Sequence, residues 1–224
     1  MFSLRKLLQP NPLISVLRKS KIASNIKELE KSLFTHLKSE IDGEVPDLER
    51  EKFLSDYLTQ NKWHMEEHDD STRLVLSKKA NGHFIKVYYE AKLPENANEN
   101  QEEEEQKEEE GQTNNYTEFL VVVDKNQPKK LLLEVIAMEG EVTLNAMVFS
   151  EEAEALAEKK PVSSSPYNGP AFETLDEKLQ EKISKYVAGL GIDEELAHFV
   201  EESAIHHEAK MYRNFLNDFK HFIE

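Results

Sequence analysis

Cysteine is absent from the 224-residue sequence. The chain therefore cannot form disulfide bonds, use a thiolate nucleophile or bind zinc through cysteine. No segment approaches the roughly 20 apolar residues that span a bilayer, so we expect no membrane insertion. A Gly-rich phosphate loop and a G-x-S-x-G elbow are missing as well. We therefore expect a protein that is not an enzyme, with no catalytic residues and no cofactor.

Acidic residues are missing from residues 1–27, although the whole chain has 44 Asp and Glu against 28 Lys and Arg. The basic residues of this stretch are Arg5, Lys6, Arg18, Lys19, Lys21 and Lys27. This composition is typical of a mitochondrial transit peptide. A secretory signal needs an uninterrupted apolar stretch of about 7 to 15 residues, and a basic N-terminus without a targeting role is the other alternative. We predict a transit peptide over 1–27 and a single acidic domain over 28–224.

The full chain has a formal net charge of −16 at pH 7, and removal of the basic N-terminus makes the mature chain more acidic still. Such a charge repels nucleic-acid phosphates and attracts basic proteins, so we expect no direct nucleic-acid binding.

The densest acidic stretch lies within residues 95–115, where the sequence has no apolar residue from 98 to 115. A segment of this composition cannot bury enough surface to offset its ordering entropy, so we predict a disordered loop. Either the loop binds basic proteins electrostatically, or it is a solvated loop that only aids solubility. The candidate binding residues are Glu102, Glu103, Glu104, Glu105, Glu108, Glu109 and Glu110.

The hydrophobic period changes twice along the chain. A stripe at helical spacing from Ile22 to Ile41 predicts an N-terminal helix, and a period of two from Trp63 onward predicts strands. Asn81-Gly82 predicts a hairpin turn, and Glu139-Gly140 predicts another. Two helices then end the chain, the first preceded by a Thr174/Glu177 capping box and the second capped by Asp193. This order predicts an α+β fold with an antiparallel meander in the middle.

Two C-terminal segments, 167–180 and 191–199, resemble signatures of the mitochondrial matrix acidic protein family, also called the mitochondrial glycoprotein family. The order of basic presequence, helix, sheet with an acidic insertion and two terminal helices is similar over essentially the whole length. The signature residues, which we expect to be structural, are Tyr167, Gly169, Pro170, Phe172, Thr174, Leu175, Asp176, Gly191, Leu196 and Phe199.

The resemblance implies a strongly twisted antiparallel sheet of about seven strands, flanked by one N-terminal and two C-terminal helices, in a ring-shaped homotrimer. Five strands follow from the periodicity, so the other two would come from 63–67 and 151–165. The family also implies an adaptor or chaperone-like scaffold of the mitochondrial matrix. Its expected clients are basic proteins such as mitochondrial ribosomal proteins, and its expected roles are in mitochondrial translation, ribosome assembly and oxidative phosphorylation.

Two alternatives come from other functional classes. The protein could be a fixed regulatory subunit of one mitochondrial complex. A zinc hydrolase is a remote alternative, because residues 64–68 match the pattern H-x-x-E-H, in which two histidines on one helical face bind zinc. The period of two around Trp63 and Met65 indicates a strand instead. His206 and His207 are adjacent on the last predicted helix, where we expect one to be exposed and the other partly packed, and we predict no metal site.

Overall fold

The computed structural model describes residues 26–69, 71–91, 116–138 and 141–224. Five α-helices and six strands occur in the described part, together with a 3₁₀ turn at Phe172–Thr174. The elements in chain order are α1 (Ile26–Gly43), α2 (Leu48–Asn61), β1 (His64–Glu66), β2 (Arg73–Ala80), β3 (His83–Glu90), β4 (Tyr116–Asp124), β5 (Lys130–Met138), β6 (Glu141–Ser150), α3 (Ala153–Ala157), α4 (Glu177–Gly189) and α5 (Glu194–Ile223).

The chain divides into two compact units. The first unit contains the residues up to Val45 and Arg213–Glu224, and the second contains Pro46–Tyr212.

The six strands form one antiparallel meander in the second unit, with the order β1-β2-β3-β4-β5-β6. The predicted Asn81-Gly82 hairpin is confirmed, since Ala80 of β2 pairs with His83 of β3. Both turn residues have a positive φ, 52° for Asn81 and 78° for Gly82, as a two-residue type I′ turn requires. The predicted α+β class is therefore confirmed.

Each face of the sheet carries its own apolar cluster. The larger cluster combines alternate residues of β2 to β6 with buried residues of α2, α4 and α5, among them Leu74, Val87, Val121, Leu133, Val187, Leu196 and Phe199. The smaller cluster on the opposite face is covered by α3 and contains Tyr88, Val122, Leu132, Val148, Ala153 and Ala157. Alternation of side chains between faces explains how one strand contributes to both clusters.

One of the two extra strands expected from the resemblance is present and one is not. The 63–67 region does form a strand, β1, which pairs with β2. The expectation of a strand within 151–165 is wrong, because this region contains the helix α3 instead. Its sequence, AEALA, consists of strong helix formers. The helix is also fixed to the sheet by Glu154, whose carboxylate accepts hydrogen bonds from Lys86 at 2.7 Å and Lys130 at 2.5 Å.

The first unit consists of α1 and the last turns of α5. Within it, the guanidinium of Arg213 donates a hydrogen bond to the backbone carbonyl of Glu44, and the ammonium of Lys220 lies 5.6 Å from the ring centroid of Phe34. Leu37 and Leu216 are buried. Other apolar side chains of this unit are exposed, namely Ile26, Leu29, Leu33, Val45, Phe215 and Phe222.

Candidate functional site

The acidic residues proposed as a binding site, Glu102, Glu103, Glu104, Glu105, Glu108, Glu109 and Glu110, lie outside the described residues. The predicted transit peptide lies outside them except for Ile26 and Lys27. The candidate residues that the structure does describe lie in the two signature segments and on the surfaces next to them.

The first signature segment lies against strand β6. Gly169 has a φ of +73°, and a Cβ atom added there would lie 2.6 Å from the carbonyl oxygen of Met147. Only glycine permits this approach without a shift of backbone. Phe172 is partly buried against the main apolar cluster, whereas Tyr167 is 80% exposed and Pro170 is also exposed. The segment thus attaches the α3–α4 connection to the edge of the sheet.

The cap of α4 is Asp176, and the predicted Thr174/Glu177 capping box is wrong. The Asp176 carboxylate accepts hydrogen bonds from the backbone N–H groups of Lys178 and Leu179, at 3.1 and 3.3 Å. The hydroxyl of Thr174 instead donates to the carbonyl of Ala171 at 2.7 Å, which closes the 3₁₀ turn. Leu175, half-buried, connects that turn to the cap.

The second signature segment forms the turn before α5 and the buried start of that helix. Gly191 has a φ of +77° and lies against the side chain of Lys78. The predicted Asp193 cap is confirmed, because its carboxylate accepts a hydrogen bond from the backbone N–H of Leu196 at 3.0 Å. Leu196 and Phe199 are fully buried, and the Phe199 ring stacks on Tyr57 at a centroid distance of 4.6 Å. Leu196 and Phe199 thus belong to the main apolar cluster.

Lys78 connects this turn to the sheet. Its ammonium lies 4.1 Å from the ring centroid of Trp63, a cation–π geometry. Burial lowers the pKa of Lys78, and the nearby Asp193 carboxylate partly opposes that effect. Burial also raises the pKa of Tyr57, with Asp193 adding to the increase. The phenol therefore stays neutral at physiological pH.

A groove lies between β6, α4 and the start of α5, with a volume of about 340 Å³. Val142 and Leu144 of β6 form one wall, and Ser184, Val187 and Ala188 of α4 form the other. Ile192, Asp193, Glu194 and Glu195 close one end. The groove thus combines an apolar floor with an acidic rim. No single stretch of sequence indicates it, because its residues come from three separate segments.

A buried polar cluster joins α5 to the β1–β2 connection. His207 is fully buried, contrary to the expectation of partial packing, and its Nε2 lies 2.8 Å from the carbonyl oxygen of Ser71. The hydroxyls of Tyr89 and Ser203 share a hydrogen bond of 2.8 Å. Next to them, Lys210 forms ion pairs with Glu67 at 3.0 Å and with Asp69 at 2.8 Å. Lys210 lowers the pKa of Asp69, chiefly through its hydrogen bond.

The H-x-x-E-H pattern does not lie on a helix. His64 begins the strand β1, and His68 follows the end of that strand by two residues. The two imidazoles therefore lack the one-turn helical spacing that the zincin arrangement uses. Within residues 26–69, 71–91, 116–138 and 141–224, no group of three or more His, Asp or Glu side chains is arranged to bind a metal ion.

None of the helices in the described part of the chain combines the length and apolar character that crossing a bilayer requires.

Together, the open antiparallel meander, the terminal helices and the two signature segments define an acidic α+β protein of the class predicted from the sequence. The profile of the mitochondrial glycoprotein family matches residues 37–223. The chain therefore belongs to the mitochondrial glycoprotein family, which is a mitochondrial family. The resemblance inferred from the two C-terminal segments is confirmed.

Two solved structures share the fold. One is a protein of Leishmania major described as a sequence homologue of human p32, with a TM-score of 0.63 and 20% identity, over 87% of this chain and 99% of that one. The other is the p22 protein of Trypanosoma brucei, with a TM-score of 0.60 and 15% identity, over 87% of this chain and 98% of that one. At these identities the likeness concerns the fold alone.

Proposed function

We propose that this chain is a non-enzymatic acidic binding protein of the mitochondrial matrix, which captures basic proteins and acts as an adaptor or chaperone-like scaffold. The main support for this proposal is the net charge of −16 in a member of a mitochondrial family. A field of this sign raises the local concentration and association rate of Lys- and Arg-rich proteins. Mitochondrial ribosomal proteins are such clients, so the proposed roles are in ribosome assembly, mitochondrial translation and, through them, oxidative phosphorylation.

We place the protein in a homotrimer, on the support of its exposed apolar helix positions. Within the first unit, Phe222 is 85% exposed, Ile26 is 64% exposed and Phe215 is 60% exposed. The exposure of several large apolar side chains on the two helices of this unit supports a protein–protein interface. A closed ring of three copies would bury such positions and would repeat the acidic surface around its axis.

The first experiment tests whether the acidic stretch within 95–115 binds basic proteins. The seven glutamates from Glu102 to Glu110 are replaced by glutamine, and the binding of labelled poly-L-lysine is measured by fluorescence anisotropy at several salt concentrations. We expect the affinity at low salt to fall by about tenfold or more, with a weaker dependence on salt.

The matched control for this experiment is a variant in which residues 98–115 are permuted. It retains every charge, so its affinity should equal that of the wild type if the binding is electrostatic. Equal affinity and salt dependence in the glutamine variant and the wild type would contradict a binding role for this stretch.

The alternatives have distinct outcomes. A fixed regulatory subunit would co-purify with one partner at constant stoichiometry through high salt. A zinc hydrolase would retain about one zinc ion per chain in elemental analysis of the purified protein. The acidic scaffold predicts several basic partners that are released together at moderate salt, and no stoichiometric zinc.

A further inference from the structure

The groove between β6, α4 and the start of α5 has an apolar floor within the second unit. Leu144, Val187 and Ile192 are nearly buried at its base, whereas Ser184 and Ala188 lie on the exposed side of α4. Its volume of about 340 Å³ lies at the lower end of the range typical of ligand pockets, roughly 300 to 1,000 Å³. A space of this size suits one or two side chains of a peptide better than a large cofactor.

The rim of the groove is acidic, and two of its three carboxylates have no partner among the described residues. Asp193 already caps α5 through the N–H of Leu196. Glu194 and Glu195 are exposed, and their carboxylates form no hydrogen bond or ion pair with any residue that the structure describes. They remain available to a cationic group that approaches the groove from solvent.

We propose that this groove binds a peptide segment of a partner protein in which an apolar side chain is flanked by lysine or arginine. The proposal rests on the proposed function and deepens it, because it adds a structural rule for selecting among basic proteins. Charge complementarity identifies the occupant: the flanking cations pair with Glu194 and Glu195, and the apolar side chain covers Leu144, Val187 and Ile192. A basic peptide with only polar side chains would pair with the carboxylates of the rim but would leave the apolar floor exposed to water.

The two parts of the groove supply different contributions. Burial of an apolar side chain stabilises the complex in proportion to the area removed from water and is insensitive to salt. Rim charges increase the association rate and are screened by salt. The apolar contribution should therefore survive at salt concentrations that abolish general binding of basic proteins.

The test uses the mature chain, residues 28–224, and two fluorescein-labelled peptides of equal charge. Their sequences are Lys-Arg-Leu-Leu-Arg-Lys and Lys-Arg-Ser-Ser-Arg-Lys. Anisotropy titrations are run at low and at physiological salt. We expect the leucine peptide to bind about tenfold more tightly than the serine peptide, and this ratio to persist at the higher salt.

Two variants locate the binding. Ala188→Trp introduces a large side chain at an exposed helix position and should fill the groove, so that the leucine peptide binds no better than the serine peptide. Glu194→Gln with Glu195→Gln should weaken both peptides by several-fold. The matched control is Glu49→Gln with Glu51→Gln, which removes two exposed glutamates from the first turn of another helix, α2, and should leave the groove-dependent ratio unchanged.

The outcomes separate this inference from the proposed function. If both peptides bind equally and Ala188→Trp changes neither, the groove proposal fails while basic-protein binding stands. If neither peptide nor poly-L-lysine binds, the proposed function itself fails. If Ala188→Trp changes the mass of the assembly in light scattering, the groove is occupied by a second copy of the chain, and the peptide proposal is overturned.

Discussion

Substitution of Gly169 by alanine tests whether the first signature segment is structural. The residue has a φ of +73°, and a Cβ atom there would lie 2.6 Å from the carbonyl oxygen of Met147. An L-residue in the left-handed region costs about 1–2 kcal/mol. Relief of the contact with a strand carbonyl requires a backbone shift, which adds about 1–3 kcal/mol. We therefore expect Gly169→Ala to lower the free energy of unfolding by about 2–5 kcal/mol.

Gly82 provides the matched control for the backbone cost. Its φ of +78° is nearly the same, but a Cβ atom there would meet nothing within 4 Å. Gly82→Ala should therefore cost only the conformational part, about 1–2 kcal/mol. The difference between the two variants isolates the contact between the signature segment and β6.

The assay is urea unfolding followed by far-UV circular dichroism. All variants are compared at one protein concentration, because oligomer formation makes apparent stability depend on concentration. Equal destabilisation by Gly169→Ala and Gly82→Ala would refute the close packing of the signature segment on β6.

Four further substitutions test the described packing. Phe199→Ala removes a fully buried ring and should cost about 3–5 kcal/mol in urea unfolding. Asp176→Ala should cost about 1 kcal/mol and Thr174→Ala clearly less, because only the aspartate caps α4. Hydrogen bonds from Lys130 and Lys86 lower the pKa of Glu154. This pairing therefore stabilises the fold at neutral pH, and the stabilisation is lost as the pH falls through the lowered pKa. Glu154→Gln should therefore lose less stability between pH 7 and pH 3 than the wild type does, and an equal loss would contradict the pairing.

The features of the fold that the sequence predicts are those determined by residues close together in the chain. The Asn81-Gly82 turn requires two positive φ values, which few other residue pairs adopt. The Asn-Gly pair in the sequence therefore predicts the position of the turn and of the strands on either side. The cap at Asp193 follows from the same kind of local rule. The cap of α4 is misplaced because Thr174 and Asp176 are both favoured N-cap residue types. Only the 3₁₀ turn, which uses the Thr174 hydroxyl, leaves Asp176 as the cap.

The rest depends on contacts between distant segments. The resemblance implies two more strands than the periodicity provides, and one of them was expected in the region that forms helix α3. The attachment of this helix through Glu154 to Lys86 joins residues that are far apart in the sequence. The burial of His207 against Ser71 has no local signal either. The groove is likewise assembled from β6, α4 and α5, so neither its apolar floor nor its acidic rim could be recognised from one stretch of sequence.

Affinity capture tests whether this acidic chain binds basic proteins from mitochondria. The mature protein is immobilised, incubated with mitochondrial extract and eluted with a salt gradient, and the eluted proteins are identified by mass spectrometry. We expect several Lys- and Arg-rich proteins, ribosomal proteins among them, to be released together at moderate salt. Retention of a single partner at fixed stoichiometry through high salt would contradict this expectation and would favour a fixed regulatory subunit.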